Sequence, residues 1–313
     1  METCKRKYVF SVPEVPREAE YIKLNYPYTD NQLPQEPLCF TFGNIFGTTV
    51  IPLEGFLLRK KIMGPCWLEF NDLQPSQGNS WCSVEARIQS PIDCLVVESD
   101  DTPPLNSLAL SIQTKFNYST KNNEIIAITG YCCKNVNING QDIATLSPSE
   151  RFSVSRPISS SSSFKRTVIN PEVDFTIIQE KSEEAMLCAF LEKLQSLDPD
   201  IVIDHEFSTI GPSILLQRMK FFNVKNWNVI GRRVCATWPK SLSTSNNTDN
   251  TTYQKKLTMC GRLVSDTFLA SQDVISCKPY SLQDMALSEL GLSREEITSD
   301  MMVTFEQRGI LAT

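Results

Sequence analysis

Between residues 108 and 222 the chain alternates strand-type and helix-type segments, and this order constrains the fold more than any other sequence feature. Two apolar runs, residues 108–116 and 124–133, flank a polar turn, which predicts a β hairpin. A helix beginning after Ser182, a buried strand at residues 201–203 and a second helix over residues 212–222 follow. A hairpin succeeded by helix, strand and helix is typical of an α/β domain with a mixed sheet.

The helix after Ser182 has the clearest sequence signals. The Ser182 hydroxyl can cap free amides of the first turn, and Glu183 and Glu184 suit the positive end of the helix dipole. Apolar residues then recur at helical spacing and predict one buried stripe: Met186, Leu187, Phe190, Leu191 and Leu194. We therefore expect one face of this helix to be buried.

The first hundred residues have a different character. Eleven of the 18 prolines occur by Pro104, and they separate short β-type runs such as residues 39–42 and 81–88. One helix is predicted over residues 51–61. The polar stretch ending at Pro103 and Pro104 predicts a boundary, with a β-rich domain over residues 1–102 and an α/β domain over residues 103–313.

Composition restricts the class of protein. Hydrophobic residues make up 41% and charged residues 21%, as in soluble globular proteins. We find no apolar run of the roughly 18 to 20 residues that a membrane span needs, and no apolar core of a secretory signal. The eleven cysteines are scattered and His205 is the single histidine, which favours mostly buried free thiols in a reducing compartment over a zinc site.

Charge is unevenly distributed along the chain. Its net value is −6, but residues 212–262 hold nine basic residues and one acid, a local charge of +8 that leaves −14 for the remainder. This asymmetry predicts a nucleic-acid-binding face, and a solvated loop region is the alternative. The candidate contact residues are Arg218, Lys220, Arg232, Arg233, Lys255 and Lys256.

Several short motifs resemble the amino-terminal and exonuclease-like region of B-family replicative DNA polymerases. They are Phe46-Gly47-Thr48 and the segments at residues 64–69, 80–85, 123–127, 198–202, 215–218 and 278–282, and the likeness covers roughly residues 7–290. The resemblance implies a mixed-sheet RNase H-like, exonuclease-like domain preceded by a β-rich domain.

The same resemblance implies a function and partners. It points to the polymerases that extend RNA–DNA primers in the nucleus, bound to DNA or RNA–DNA primer-template and assembled with primase subunits and an accessory B subunit. Mg²⁺ would serve the polymerase domain of such a protein. The polymerase motifs themselves are absent from these residues, so this chain alone is not expected to polymerise DNA.

The exonuclease carboxylates of that family are replaced here. A two-metal nuclease gathers several carboxylates around its cations, beginning with an Asp-x-Glu pair on one sheet face. By resemblance those positions are Ser111 and Gln113, and a second motif places Glu206 and Gly211 where the family has Asn and Asp. Neutral side chains do not supply the charge that hard cations require, so we expect no catalytic residue and no metal.

Two alternatives remain open from the residues alone. Asp204, His205 and Glu206 form another Asp-x-Glu pattern, which would support an active exonuclease if a metal bound there. A non-catalytic interaction module that retains the scaffold is the second alternative. Asp266 resembles an acid of structural importance in the family, and we expect it to belong to the scaffold.

Overall fold

The structure is a computed structural model. It describes residues 2–6, 18–27, 30–31, 33, 45–48, 51–139, 146–158, 167–170, 175–205, 211–239, 257–276 and 279–293. Two compact units are distinguished: Met1–Leu73 with Ile88–Ser99, and Gln74–Arg87 with Asp100–Thr313. The division falls between Ser99 and Asp100, whereas the sequence predicted a boundary after residue 102. The segment Gln74–Arg87 belongs to the second unit, although it lies within the sequence of the first.

In its described residues, the first unit contains short antiparallel strand pairs and one α-helix. Strand β1 (Glu2–Arg6) pairs with β2 (Ala19–Lys23), and β3 (Trp67–Phe70) pairs with a later strand, Cys94–Val97. Helix α1 (Pro52–Lys60) confirms the helix predicted over residues 51–61. Proline suits its first turn because that position needs no hydrogen-bond donor. The run predicted at residues 39–42 lies outside the described residues.

The predicted strand at residues 81–88 is wrong over most of its length. Of these residues, only Ala86–Arg87 form a strand (β5), which pairs with Gln74–Pro75 (β4). The strand Cys94–Val97, the partner of β3, is β6. The physical reason is Glu85, whose carboxylate accepts hydrogen bonds from the backbone N–H groups of Asn79 and Ser80 and from the Ser80 hydroxyl. These bonds close the segment into a loop.

A seven-stranded mixed sheet forms the centre of the second unit. Its strands are β7 (Leu105–Asn117), β8 (Asn122–Val136), β9 (Glu150–Ser155), β10 (Thr167–Asn170), β11 (Phe175–Gln179), β12 (Ile201–Asp204) and β13 (Leu263–Asp266), in the order β10-β11-β9-β8-β7-β12-β13. The pairs β7–β8, β8–β9 and β10–β11 are antiparallel, whereas β9–β11, β7–β12 and β12–β13 are parallel. The predicted mixed α/β fold and the predicted hairpin are confirmed.

The described residues of this unit also form helices and a 3₁₀ turn. Helix α2 (Glu183–Leu197) is followed by α3 (Gly211–Phe221), the 3₁₀ turn at Trp227–Ile230, α4 (Thr267–Val274) and α5 (Leu282–Leu290). None of the helices in the described ranges has both the length and the apolarity to cross a membrane.

Helix α2 has the cap and the buried face that its sequence predicts, and it covers the sheet. The Ser182 hydroxyl accepts the Ala185 N–H at 3.2 Å and caps the first turn. All five residues of the predicted stripe are buried, and the helix packs on β8 and β9, where Phe152 and Val154 are fully buried. The core of the second unit therefore lies between α2 and the sheet.

The thiols were predicted less well than the core. Each of the nine described cysteines is free, but only Cys94 and Cys132 are buried. Cys66 is exposed, and its neighbour Trp67 is 43% exposed. Among the described strands, β3 pairs with β6 alone, so Trp67 lies in a two-stranded pair and not in a larger sheet.

Gly130 provides a test of packing between β8 and β9. A methyl group added at Gly130 would lie 2.4 Å from the fully buried Phe152 ring and 3.1 Å from the Leu108 side chain. We predict that Gly130→Ala lowers the free energy of unfolding by about 1–3 kcal/mol, as overpacked cores do. The matched control is Gly64→Ala, because no atom lies within 4 Å of the added methyl there. Urea unfolding of both variants measures the difference, and equal stabilities would contradict the packing.

Candidate functional site

A cleft of about 550 Å³ opens on the second unit where several element ends meet. One wall is the middle of β7, and the others are the end of β12, the start of α3, the start of α4 and the start of α5. The polar residues that line it are Ser111, Gln113, Thr114, Asp204, His205, Thr267 and Ser281.

Three of the four predicted exonuclease positions meet in this cleft. Ser111 and Gln113 are two residues apart on β7, opposite Thr129 and Ala127 of β8, so both point to one face of the sheet. Gly211 begins α3 and contributes no side chain. Glu206 lies outside the described residues. The cleft is thus lined by a hydroxyl and an amide at the two β7 positions.

Asp204 and His205 carry the alternative metal pattern and are held by local contacts. The Asp204 carboxylate accepts the backbone N–H of His205 at 2.7 Å. The His205 Nδ1 atom lies 3.0 Å from the Thr267 hydroxyl, and the ring packs edge-on against Phe268. These contacts orient the imidazole ring against the start of α4.

The donor set that the described residues offer does not fit a pair of divalent cations. Asp204 is the one carboxylate among the described residues that line the cleft. Over the described ranges, no group of three or more His, Cys, Asp or Glu side chains is placed to hold a metal ion. A two-metal site needs several carboxylates to offset the dehydration of Mg²⁺, so no catalytic step through a metal follows from these residues.

Of the polar cleft residues that the sequence did not indicate, Thr267 and Ser281 lie at helix starts. Thr267 follows Asp266, whose carboxylate accepts the Phe268 N–H at 3.0 Å and caps α4. This agrees with the scaffold role expected for Asp266. Ser281 caps α5 by accepting the Asp284 N–H at 3.1 Å, and its hydroxyl also donates to the Asp284 carboxylate. The Ser-x-x-Asp spacing is the signal that could have placed Ser281 there.

The structure gives Arg218 a role other than the predicted nucleic-acid contact. Its guanidinium is buried and forms a two-point pair with Glu183, at 2.7 Å from Nε and 2.6 Å from Nη2. The Glu183 carboxylate also accepts the Ile125 N–H of β8 at 2.9 Å. A buried guanidinium engaged in this way is not free to contact a phosphate, so the prediction for Arg218 is corrected.

Arg232 is likewise committed to partners within the protein. It donates to Asp198 at 3.0 Å and to Asp200 at 2.7 Å, while Arg262, whose side chain is 2% exposed, donates to the same Asp198 carboxylate at 2.7 Å. Asp200 in turn accepts the Asn106 N–H at the start of β7. This ion-pair cluster (Asp198, Asp200, Arg232 and Arg262) ties β7 to the segment after α3.

The remaining candidates divide into exposed and undescribed residues. Lys220 and Arg233 are exposed, and Lys225 in the same segment is exposed as well. Lys255 and Lys256 lie outside the described residues. The basic excess of residues 212–262 is therefore only partly available to a ligand, since Arg218, Arg232 and Arg262 neutralise acids of the second unit.

Comparison with known proteins identifies the class to which this fold and cleft belong. The family described as DNA polymerase family B, exonuclease domain, matches residues 43–285. The match covers most of the chain, and the chain belongs to this family. The RNase H-like, exonuclease-like architecture expected from the resemblance is confirmed.

Within this family, the chain is similar to the catalytic subunits of DNA polymerase alpha. The DNA polymerase alpha catalytic subunit of Arabidopsis thaliana is 32% identical over 95% of this chain and 21% of its own length. That of Xenopus laevis is 32% identical over 90% of this chain and 19% of its own length. The corresponding protein of Saccharomyces cerevisiae is 28% identical over 90% of this chain and 20% of its own length. The chain spans about a fifth of the length of these relatives.

The ion-pair cluster predicts a defined pH dependence of stability. Partial burial raises the pKa of the Asp198 carboxyl, but hydrogen bonds and charge from Arg232 and Arg262 outweigh it, so the pKa lies below its ordinary value. The contribution of the pair is fully present above the unfolded-state pKa of about 3.9 and is lost as pH falls through the lower folded-state value.

We predict that Asp198→Asn destabilises the protein at pH 7 by about 1–2 kcal/mol, a value reduced for solvent screening because Asp198 is half exposed. Asparagine tolerates the left-handed backbone of this position (φ 40°), so the change removes charge without adding strain. The difference from wild type should shrink below about pH 4. Asp273→Asn, at an exposed acid of the same unit, is the control. A pH-independent difference in chemical unfolding would contradict the pairing.

Proposed function

We propose that this chain is the amino-terminal and exonuclease-like part of a polymerase alpha catalytic subunit, in which the nuclease fold is a scaffold without nuclease chemistry. The observation that carries the proposal is the cleft, which is lined by Ser111, Gln113 and Gly211. By resemblance, these are the positions at which the active family has acids. The homology to polymerase alpha catalytic subunits supports a role in DNA replication.

The proposal extends to the parent assembly. Such a protein extends RNA–DNA primers in the nucleus, with primase subunits and an accessory B subunit as partners and Mg²⁺ in its polymerase domain. The relatives are catalytic subunits, which supports an assembly of several chains. Within that assembly the present region binds and positions DNA.

The DNA-contacting face is proposed to use the exposed cations of residues 212–262. Lys220 and Arg233 are exposed in the described part of this segment, and Lys255 and Lys256 belong to the same basic stretch of sequence. Arg218 and Arg232 are left out because they pair with Glu183, Asp198 and Asp200. A cation that already neutralises an acid of the protein adds little to the neutralisation of a phosphate backbone, so it displaces few counterions from the DNA.

Absence of nuclease activity is tested with a 5′-labelled single strand in the presence of Mg²⁺ or Mn²⁺. We predict that the strand stays intact, because a cleft with one described carboxylate does not offset the dehydration of two cations. Glu206→Ala is assayed in parallel, since Glu206 is the charged residue among the replaced positions. Metal-dependent degradation that Glu206→Ala abolishes would show that the chain is an active exonuclease.

DNA contact is tested with the double variant Lys220→Glu/Arg233→Glu. We predict weaker binding to duplex and single-stranded DNA and a shallower dependence of log affinity on log salt, because each lost phosphate contact lowers the slope by about 0.7–0.9. Lys134→Glu makes one such charge reversal at an exposed lysine of β8, outside the basic segment. Fluorescence anisotropy across a salt series measures both quantities. Equal affinity and slope for the wild type and the double variant would remove these residues from the DNA-binding face.

A further inference from the structure

The tip of the β7–β8 hairpin extends beyond its neighbours in the sheet. Strand β9 pairs with β8 only over Ala127–Cys132, and β12 pairs with β7 only over Ser107–Ala109. The last residues of the hairpin, 115–117 and 122–124, pair only with each other in the described sheet. This hairpin tip (residues 115–124) therefore presents most of its side chains to solvent.

Two aromatic rings occupy the hairpin tip. Tyr118 is 85% exposed and Phe116 is 44% exposed, and their rings meet edge to face with centroids 5.1 Å apart. Neither ring serves the core of the unit, where the large buried side chains lie between α2 and the sheet. Exposed ring faces of this kind are suited to stacking on flat ligands.

The turn that carries these rings is held by hydrogen bonds. The Asn117 side-chain oxygen accepts the Ser119 N–H at 2.9 Å and the Thr120 N–H at 3.3 Å. Its amide group donates to Glu124 at 2.7 Å. The tip thus has a fixed shape without burial of apolar surface, so little conformational entropy is lost when a ligand stacks on it.

The charge of the hairpin tip is positive. Lys115 and Lys121 are its cations, and Glu124 is its single acid. Glu124 is neutralised by Arg156 at 2.9 Å, a residue outside the tip. Partial burial opposes the charged form of Glu124, but hydrogen bonds from Asn117 and Arg156 hold its pKa below the ordinary value, so this pair persists at neutral pH. The two lysines are left to attract an anion.

We infer that the hairpin tip binds single-stranded nucleic acid, with a base stacked on Tyr118 and Phe116 and the flanking phosphates near Lys115 and Lys121. Aromatic faces beside cations are the pattern by which proteins hold single strands without sequence preference. A protein partner fits less well, because two rings surrounded by Lys, Asn, Ser and Thr side chains lack the contiguous apolar core of such interfaces. The inference rests on the proposed DNA-binding function and assigns it a second, separate contact.

The test measures binding of the full chain to an oligo(dT) strand, to an abasic strand of equal length and to duplex DNA by fluorescence anisotropy. Tyr118→Ala should weaken oligo(dT) binding about tenfold, the loss of one stacked base, and leave abasic and duplex binding unchanged. Tyr118→Phe should retain wild-type affinity because it keeps the ring. Lys121→Gln should lower the salt slope for single strands by about 0.7. Tyr131→Ala, at a ring 48% exposed farther along β8, is the matched control.

The outcomes separate the two proposals. If the wild type binds oligo(dT) and both Tyr118→Ala and Tyr118→Phe bind it equally well, the hairpin-tip site is overturned while DNA binding stands. The exposed rings are then available to a protein partner. A wild-type chain that binds none of the three ligands overturns the DNA-binding function itself. Equal loss in Tyr118→Ala and Tyr131→Ala also overturns the inference, because the effect then belongs to exposed rings in general.

Discussion

The buried pair between Glu183 and Arg218 is the interaction on which the geometry of the second unit depends. One carboxylate, at the first turn of α2, accepts both guanidinium bonds from α3 and the Ile125 N–H of β8. Removing either partner would leave an uncompensated buried charge, at a cost of roughly 3–5 kcal/mol. Since α3 begins at Gly211, this pair also sets one wall of the cleft.

The polar residues that hold this fold are separate from those that would perform nuclease chemistry. The Glu183–Arg218 pair and the ion-pair cluster lie at helix and strand ends that do not line the cleft, whereas Ser111 and Gln113 do. A nuclease fold can therefore lose its carboxylates and keep its shape. Removing several like charges from one cleft also removes their mutual repulsion, so a cleft with one described carboxylate needs no metal to stabilise it.

Local sequence signals predicted the helices and strands. The features that were not predicted depend on residues that are far apart in the sequence. The Ser182 cap, the apolar stripe of α2 and the polar turn of the hairpin act over a few residues, and each was read correctly. The burial of Arg218 depends on an acid 35 residues earlier in the chain, and the pairing of Arg232 on Asp198, 34 residues earlier. Thr267 and Ser281 reach the cleft only because helices far apart in sequence begin beside β7.

The most direct test of the account is the affinity of the cleft for Mn²⁺, measured by electron paramagnetic resonance as the loss of free-ion signal. The wild-type chain should bind no Mn²⁺ at micromolar concentrations, and the variant Ser111→Asp/Gln113→Glu/Gly211→Asp should acquire binding because it restores charge where β7 and α3 meet. A variant with only Lys134→Asp, outside the cleft, controls for added negative charge. Tight, stoichiometric Mn²⁺ binding by the wild type, equal to that of the triple variant, would contradict a scaffold that has lost its metal site.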